Sequence, residues 1–351
     1  MKRILVIGAG GVLGRLICHE LEQIIVEPIQ LMVTDYKKER AELLLQQFES
    51  VSEWRYLDVH NQEQVSDVVR GVELVIVTVK QQQPFIQQAC FDQEIVCIDV
   101  TPFYPFVKQV QQLATSYATP LTGSVVMTGF IPGLSGLMIN DLGHAFTEIN
   151  EINVALLQNT NAKVGITGVL DMLNIIAQPV IRNGQQIKGF TKSRLMGFGE
   201  SGLSRKVRLI EHDEKQLLQQ LEKWSGVELY YWTAWNRPFY NAIITIVQRL
   251  GLLQKVGRFA RLLEKGVSHN PEKSETAYLT VEITGNIAGQ VVTKTLRLET
   301  RSDYALTAKV TAAIAKHLLG NKISGVVAIS EVTELSHLLA MIKSESIKLS
   351  L

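Results

Sequence analysis

Glycine crowding at the start of the chain restricts its fold more than any other feature. Ile4-Leu5-Val6-Ile7 is an apolar run of strand length, Val12 to Ile25 carries apolar residues at helical spacing, and Gly8-Ala9-Gly10-Gly11 stands between them, with Gly14 one turn later. A strand, a glycine turn and a helix in that order present bare backbone N–H groups at the positive end of a helix. A pyrophosphate can sit there if no Cβ stands in its way. The spacing reads as G-x-x-G-x-x-G through Gly8, Gly11 and Gly14, with Gly10 in addition. It predicts Gly8 in the tight turn, Gly10 or Gly11 at the close approach, Gly14 packing helix on strand, and Val12 and Leu13 opening the helix beside the cofactor. The next apolar run, Ile29 to Thr34, ends at Asp35, 21 residues after Gly14, where a second strand would offer a carboxylate to an adenosine ribose, with Tyr36 beside it.

The first half continues in alternation. A helix is expected from Lys37 to Leu45 and a third strand over Trp54 to Leu57. That strand ends at Asp58 and Val59, which face an adenine edge, unless Asp58 caps a helix over Gln62 to Val69. Strands follow within Gly71–Val79 and Glu94–Asp99, with helices after each. Such alternation closes as a doubly wound parallel sheet of Rossmann type, whose ligand lies at the carboxyl ends of the strands. That rule selects Val79 to Gln82, Asp99 to Thr101 and the end of Val125–Met127 as the wall facing a nicotinamide. Val79, Lys80 and Thr101 are accordingly cofactor candidates. Lys80 is also a candidate catalytic group, able to hold a substrate carboxylate or exchange a proton, or else a solvated loop lysine.

Composition removes several alternatives. Among 351 residues, 35 Lys and Arg against 34 Asp and Glu leave a net charge of +1, which predicts no broad attraction to nucleic acid or anionic membrane, although small charged clusters can act locally. Cys18, Cys90 and Cys97 lack C-x-x-C spacing and read as small buried hydrophobes of a reducing compartment; the histidines at 19, 60, 144, 212, 269, 317 and 337 lack metal spacing, so no metal is expected. The opening apolar run is interrupted by glycine too early for a signal peptide, and no apolar stretch has the ~18 residues of a membrane span. A cytoplasmic protein without an integral membrane segment is expected.

At Thr128-Gly-Phe-Ile-Pro-Gly-Leu-Ser-Gly-Leu-Met138 a recognisable pattern appears. With the glycine turn, Ala89 to Thr101, Asp303 to Ala308, Leu318-Leu-Gly320 and Gly325-Val-Val-Ala-Ile-Ser-Glu331, it resembles the saccharopine dehydrogenase family. The resemblance implies an NAD- or NADP-dependent oxidoreductase with an inserted α+β substrate and dimerisation domain, a homodimer, and chemistry at a C–N bond of an amino acid. Some members instead reduce carbon–carbon double bonds of lipids. Many members carry Asp where this chain has Ile131. Pro132 and Gly133 read as a helix start whose backbone can approach substrate or nicotinamide, with Ser135 either capping that helix or touching ligand. The domains are therefore drawn at 1–130 for the Rossmann domain, 131–323 for the inserted domain and 324–351 for a returning segment.

Beyond Glu151 the texture is mixed. Ile149–Leu157 reads as a strand, Gly165–Ala177 as an apolar helix, Gln186–Phe190 and Lys206–Ile210 as strands, Leu217–Trp224 as a helix, and Leu279–Thr284 with Val291–Leu298 as a hairpin. The aromatic stretch from Val227 to Tyr240 either lines a large apolar pocket or belongs to core or interface, and Ala242–Leu253 continues it as an apolar helix. Arg237 is the candidate there for anchoring an acidic group of substrate. Lys255–Lys265 reads as a basic amphipathic helix, on a membrane surface or, more commonly, a solvated face. The expected partner is a small-molecule substrate; a cofactor-binding protein without catalysis is the rival reading.

Overall fold

A computed structural model describes residues 1–117, 122–253, 269–342 and 347–351, leaving aside the Ile166 and Thr167 side chains. The basic segment Lys255–Lys265 lies outside the described residues. The chain forms two compact units, one of Met1–Leu137 with Ala305–Lys343, the other of Met138–Tyr304 with Ser344–Leu351.

In the first unit, strand and helix alternate as the periodicity predicts: β1 (Lys2–Ile7), α1 (Val12–Ile24), β2 (Ile29–Asp35), α2 (Lys38–Gln47), β3 (Val51–Tyr56), α3 (Gln62–Val68), β4 (Leu74–Val77), α4 (Phe85–Asp92), β5 (Val96–Asp99), α5 (Tyr104–Ala114) and β6 (Gly123–Val125). The described strands form a parallel sheet in the order β15-β6-β5-β4-β1-β2-β3, with the late strand β15 (Gly325–Val327) completing one edge beside β6. Parallel strands covered on both faces must be apolar throughout, and Ile4 to Ile7 and Leu74 to Val77 are at most 1% exposed. The order reverses at β1, between β2 and β4, which opens the crevice at their carboxyl ends.

α6 (Ser135–Gly143) leads into the second unit, which contains β7 (Glu148–Gln158), α7 (Ile166–Ala177), β8 (Pro179–Arg182), β9 (Gln185–Lys188), β10 (Ser193–Phe198), β11 (Leu203–Ile210), α8 (Glu214–Leu218), β12 (Glu228–Trp235), α9 (Pro238–Arg249), β13 (Ala277–Ile287) and β14 (Gln290–Thr300). Its mixed sheet runs β10-β11-β12-β7-β13-β14-β16, where β16 is Ile347–Ser350; β12 and β7 pair in parallel and the other neighbours antiparallel. β8 and β9 form a separate hairpin. β13 and β14 turn through Ala288 and Gly289 at φ 51° and 84°, the left-handed pair that a two-residue hairpin requires.

The observed divisions fall elsewhere than at 130/131 and 323/324. α10 (Asp303–Leu318) belongs largely to the first unit, where Lys309 Nζ meets Glu20 Oε2 at 2.9 Å, Lys316 Nζ donates to the Ile24 carbonyl at 3.0 Å, and the Phe130 N–H donates to Thr307 Oγ1 at 3.2 Å. α11 (Leu335–Ile342) follows β15, and β16 then pairs with β14 instead of staying with the first unit. Two elements also differ: Leu217–Trp224 is split between α8 and a 3₁₀ turn at Glu222–Trp224, and the strand expected at Gln186–Phe190 stops at Lys188.

Candidate functional site

Four strand ends meet at the glycine turn. A cleft of ≈ 560 Å³ is lined by Gly8 and Gly11 after β1, Asp35, Tyr36 and Arg40 after β2, Asp58, Val59 and His60 after β3, and Thr78 and Val79 after β4. The Thr78 hydroxyl lies 2.9 Å from the Ile7 carbonyl and 3.1 Å from that of Gly8, which ties β4 to the turn.

Each glycine meets a different constraint. Gly8 turns the chain at φ +85°, and a Cβ there would lie 2.3 Å from Val79 Cγ1. Gly14 packs the helix against the turn, since its Cβ would come within 2.4 Å of the Gly8 carbonyl oxygen. Gly10 serves the acid: its Cβ would lie 1.9 Å from Asp35 Oδ2. Gly11 opens on the cleft, where an added Cβ would meet only the Gly8 oxygen, at 3.3 Å. Val12 and Leu13, half-buried, begin α1 directly behind it.

Asp35 is 6% exposed, and its Oδ1 accepts the Lys37 N–H at 2.8 Å. At the rim Tyr36 is exposed, with Lys37 Nζ 5.6 Å and Arg40 Cζ 5.9 Å from its ring centre. Asp58 does not cap α3; that role falls to Asn61, whose Oδ1 accepts the Gln64 N–H at 3.1 Å, while Asp58 Oδ1 accepts the His60 N–H at 3.0 Å. Arg40, Thr78 and His60 line the cleft although the glycine pattern itself points to none of them.

A second polar centre stands at the end of β5, where Asp99 lies in register with Val77 of β4. Asp99 is 1% exposed, and its carboxylate accepts the Thr101 N–H at 2.7 Å and the side-chain amides of Gln87 and Gln81 at 2.7 and 3.1 Å. Burial pushes this carboxyl up to about 6, against the lowering effect of those hydrogen bonds. Among the described residues the Gln81 and Gln87 amide oxygens and the Thr128 and Ser124 hydroxyls are buried without a partner. Thr101 is thus engaged with Asp99. Lys80 is exposed, with Nζ 4.4 Å from the Phe103 ring centre.

The remaining candidates lie apart from the cleft lining. Pro132 and Gly133 are buried; the helix begins two residues later, at Ser135, and a Cβ on Gly133 (φ +116°) would sit 2.7 Å from both Ile329 Cδ1 and the Met127 oxygen. The close approach at Gly133 is therefore made by the protein's own residues. Arg237, in the second unit, is exposed at the N-cap of α9, where its carbonyl accepts the Asn241 amide at 3.3 Å. The aromatic stretch is core: Tyr230, Tyr231 and Trp232 are each 1% exposed on β12. There the Tyr231 hydroxyl donates to Glu214 at 2.8 Å and its ring stacks at 4.8 Å on His212, whose imidazole burial pulls down to about 4.

A parallel sheet with its crevice at the switch point, a bare glycine facing it and an acid on the second strand form the dinucleotide-binding arrangement of a Rossmann fold. Residues 4–121 match the family model of the saccharopine dehydrogenase NADP binding domain. In fold it is similar to apo saccharopine dehydrogenase (L-Glu forming) from Saccharomyces cerevisiae, with a TM-score of 0.70 and 11% identity over 100% of both chains. It is also similar to the DAP dehydrogenase of C. glutamicum in complex with DAP, at TM-score 0.48 and 14% identity over 96% of this chain and 95% of that one. An engineered D-amino acid dehydrogenase bound to NADP+ matches at TM-score 0.47 and 14% identity, over 96% and 95%. No curated protein matches the sequence significantly.

Proposed function

We propose that the protein reduces the C=N bond of an amino-acid-derived imine, or forms it by oxidising the corresponding amine, with NAD or NADP bound along the first unit's crevice. The observation that carries the reading is Gly11, open on a cleft that Asp35 also lines, in a turn within the segment that matches the saccharopine dehydrogenase NADP binding domain. The residues fit such a cofactor. The amides after Gly11 face an anion, the Asp35 carboxylate takes ribose hydroxyls, and Asp58, Val59 and Tyr36 border the adenine. When bound, the nicotinamide supplies or takes the hydride at the substrate carbon.

The chain's own part is orientation, proton handling and exclusion of water. In the reductive direction a proton must reach the imine nitrogen as hydride reaches the carbon. Lys80, at the carboxyl end of β4, is the group we assign to that proton or to a substrate carboxylate, and Arg237 to a second carboxylate. Asp99 holds Gln81 and Thr101 at the same edge of the sheet. Ile131, where many saccharopine dehydrogenases carry Asp, favours a second reading in which the substrate is an apolar, unsaturated or lipid-like molecule. Steady-state assays with Lys80→Ala and Arg237→Ala decide between them: a large loss on carboxylated imines supports the first, and undiminished activity on them overturns it. Cofactor binding without turnover on either substrate class would leave a sensor or scaffold. The homodimer implied by the family belongs to the same proposal, with sedimentation velocity as its test.

A further inference from the structure

The net charge of +1 conceals a strongly uneven distribution. Between Arg182 and Arg208 stand seven Lys and Arg against one acid, Glu200, and from Leu229 to Leu253 there is no acid at all. Arg182 and Arg194 are spent on Glu151 and Glu282. Lys188, Lys192 and Lys206 are exposed and form no ion pair with a described residue.

Beside these cations lies a helix turned inside out. An amphipathic helix normally buries its apolar stripe. α9 instead directs polar residues inward: Asn241 is 3% exposed and clasps the Trp235 N–H and carbonyl, Gln248 donates to the Ile176 carbonyl at 3.3 Å, and the Thr245 hydroxyl accepts Arg208 Nε at 2.7 Å. Phe239, Ile243, Ile246 and Leu250, spaced four, three and four apart on one face, are 71%, 42%, 58% and 67% exposed. The basic strand edge adjoins that helix. β10 and β11 pair Leu195 with Lys206 and Ser193 with Arg208, and directly opposed residues share a face, so Leu195, 67% exposed, and Lys206 lie on the side that Arg208 ties to α9.

The charge decides what covers this surface. A second copy packed by two-fold symmetry would set like charges against one another. A nucleic acid would use the cations but not an aliphatic stripe. A surface that is anionic at its headgroups and apolar beneath them takes both. A twelve-residue helix is about 18 Å long, and such helices lie in the bilayer interface with the apolar face inserted and cations beside the headgroups. We propose that α9 and the adjoining Leu195–Lys206 face dock the second unit on an anionic lipid surface. This is peripheral attachment; no helix among the described residues is long and apolar enough to cross a membrane.

Flotation of the full chain with vesicles of phosphatidylcholine alone, or with one third phosphatidylglycerol, tests it. Partition onto the anionic vesicles only, weakened by salt, is expected. Ile246→Ser with Leu250→Ser should lower it about tenfold or more, and Lys206→Gln, a surface change that cannot unfold the protein, by roughly fivefold. No partition onto anionic vesicles at low salt overturns the proposal, as does partition indifferent to both variants. A dimer in sedimentation velocity that the serine variant dissociates also overturns it, by assigning the stripe to a second copy.

Discussion

An added methyl group at Gly11 would meet one atom of the fold, the Gly8 oxygen at a tight 3.3 Å that a shift of a few tenths of an ångström relieves, and would stand where a pyrophosphate has to approach. Gly11→Val should therefore fold while binding NAD and NADP weaker by roughly a hundredfold, measured by calorimetry; unchanged affinity in a folded variant would misplace the turn. Asp35 governs the choice between the two cofactors, since a carboxylate at 6% exposure accepts ribose hydroxyls and repels a 2′-phosphate. Asp35→Ser should move the ratio of dissociation constants roughly tenfold toward NADP, with Arg40 at the rim ready to meet the phosphate. Asp99 carries a pH signature. Its carboxyl titrates at about 6 in the fold against an ordinary 3.8 for an aspartate in water, so the folded state binds the extra proton between those limits. Its contribution is fully present below the lower value and falls as pH rises through the upper, by about 3 kcal/mol at most. Asp303 shifts in the same sense and His212 in the opposite one, so the comparison must be differential. Melting of Asp99→Asn against the parent should show the variant gaining relative stability from pH 4 to 6, and parallel curves would refute the burial argument.

Elements show how far the sequence could be read. Strand and helix alternation in the first unit followed from periodicity, because a buried parallel strand must be apolar and its covering helix must repeat at 3.6. The glycine turn was legible in part: the tight turn and the helix packing follow from spacing, but Gly10 answers to a carboxylate 25 positions away in the chain. Gln87 was hidden for the same reason, as nothing local signals that a helical glutamine meets Asp99. The outward stripe of α9 was illegible too, since periodicity gives an amphipathic axis without saying which side is inward. The placement of α10 depends on contacts nearly 300 residues apart. Lys309 reaches Glu20, whose side chain is 8% exposed, so Lys309→Ala should cost about 2 kcal/mol by leaving that carboxylate buried and unpaired. Urea unfolding measures it, and a loss under a few tenths of a kcal/mol would show that water replaces the amine.

At the scale of the whole molecule, neither compact unit is continuous in sequence. Residues 1–137 alone lack both β15 at the sheet edge and α10 against α1, and should bind no cofactor. A chain in which a glycine-serine linker replaces residues 138–304 should bind it, and calorimetry distinguishes the two; binding by residues 1–137 alone would show that the returning segment is dispensable. The threading also sets an order of events on the ribosome. The glycine turn is made about 300 residues before Val327 completes the strand that closes its sheet, and the strand that closes the other sheet follows at Ile347–Ser350. N-terminal domains usually fold during synthesis. Here the nascent first unit waits with the edge of β6 unpaired while nearly the whole of the second is translated, so exposure to chaperones and to misassociation lasts until β15 is made, and slower decoding between β6 and β15 would prolong it.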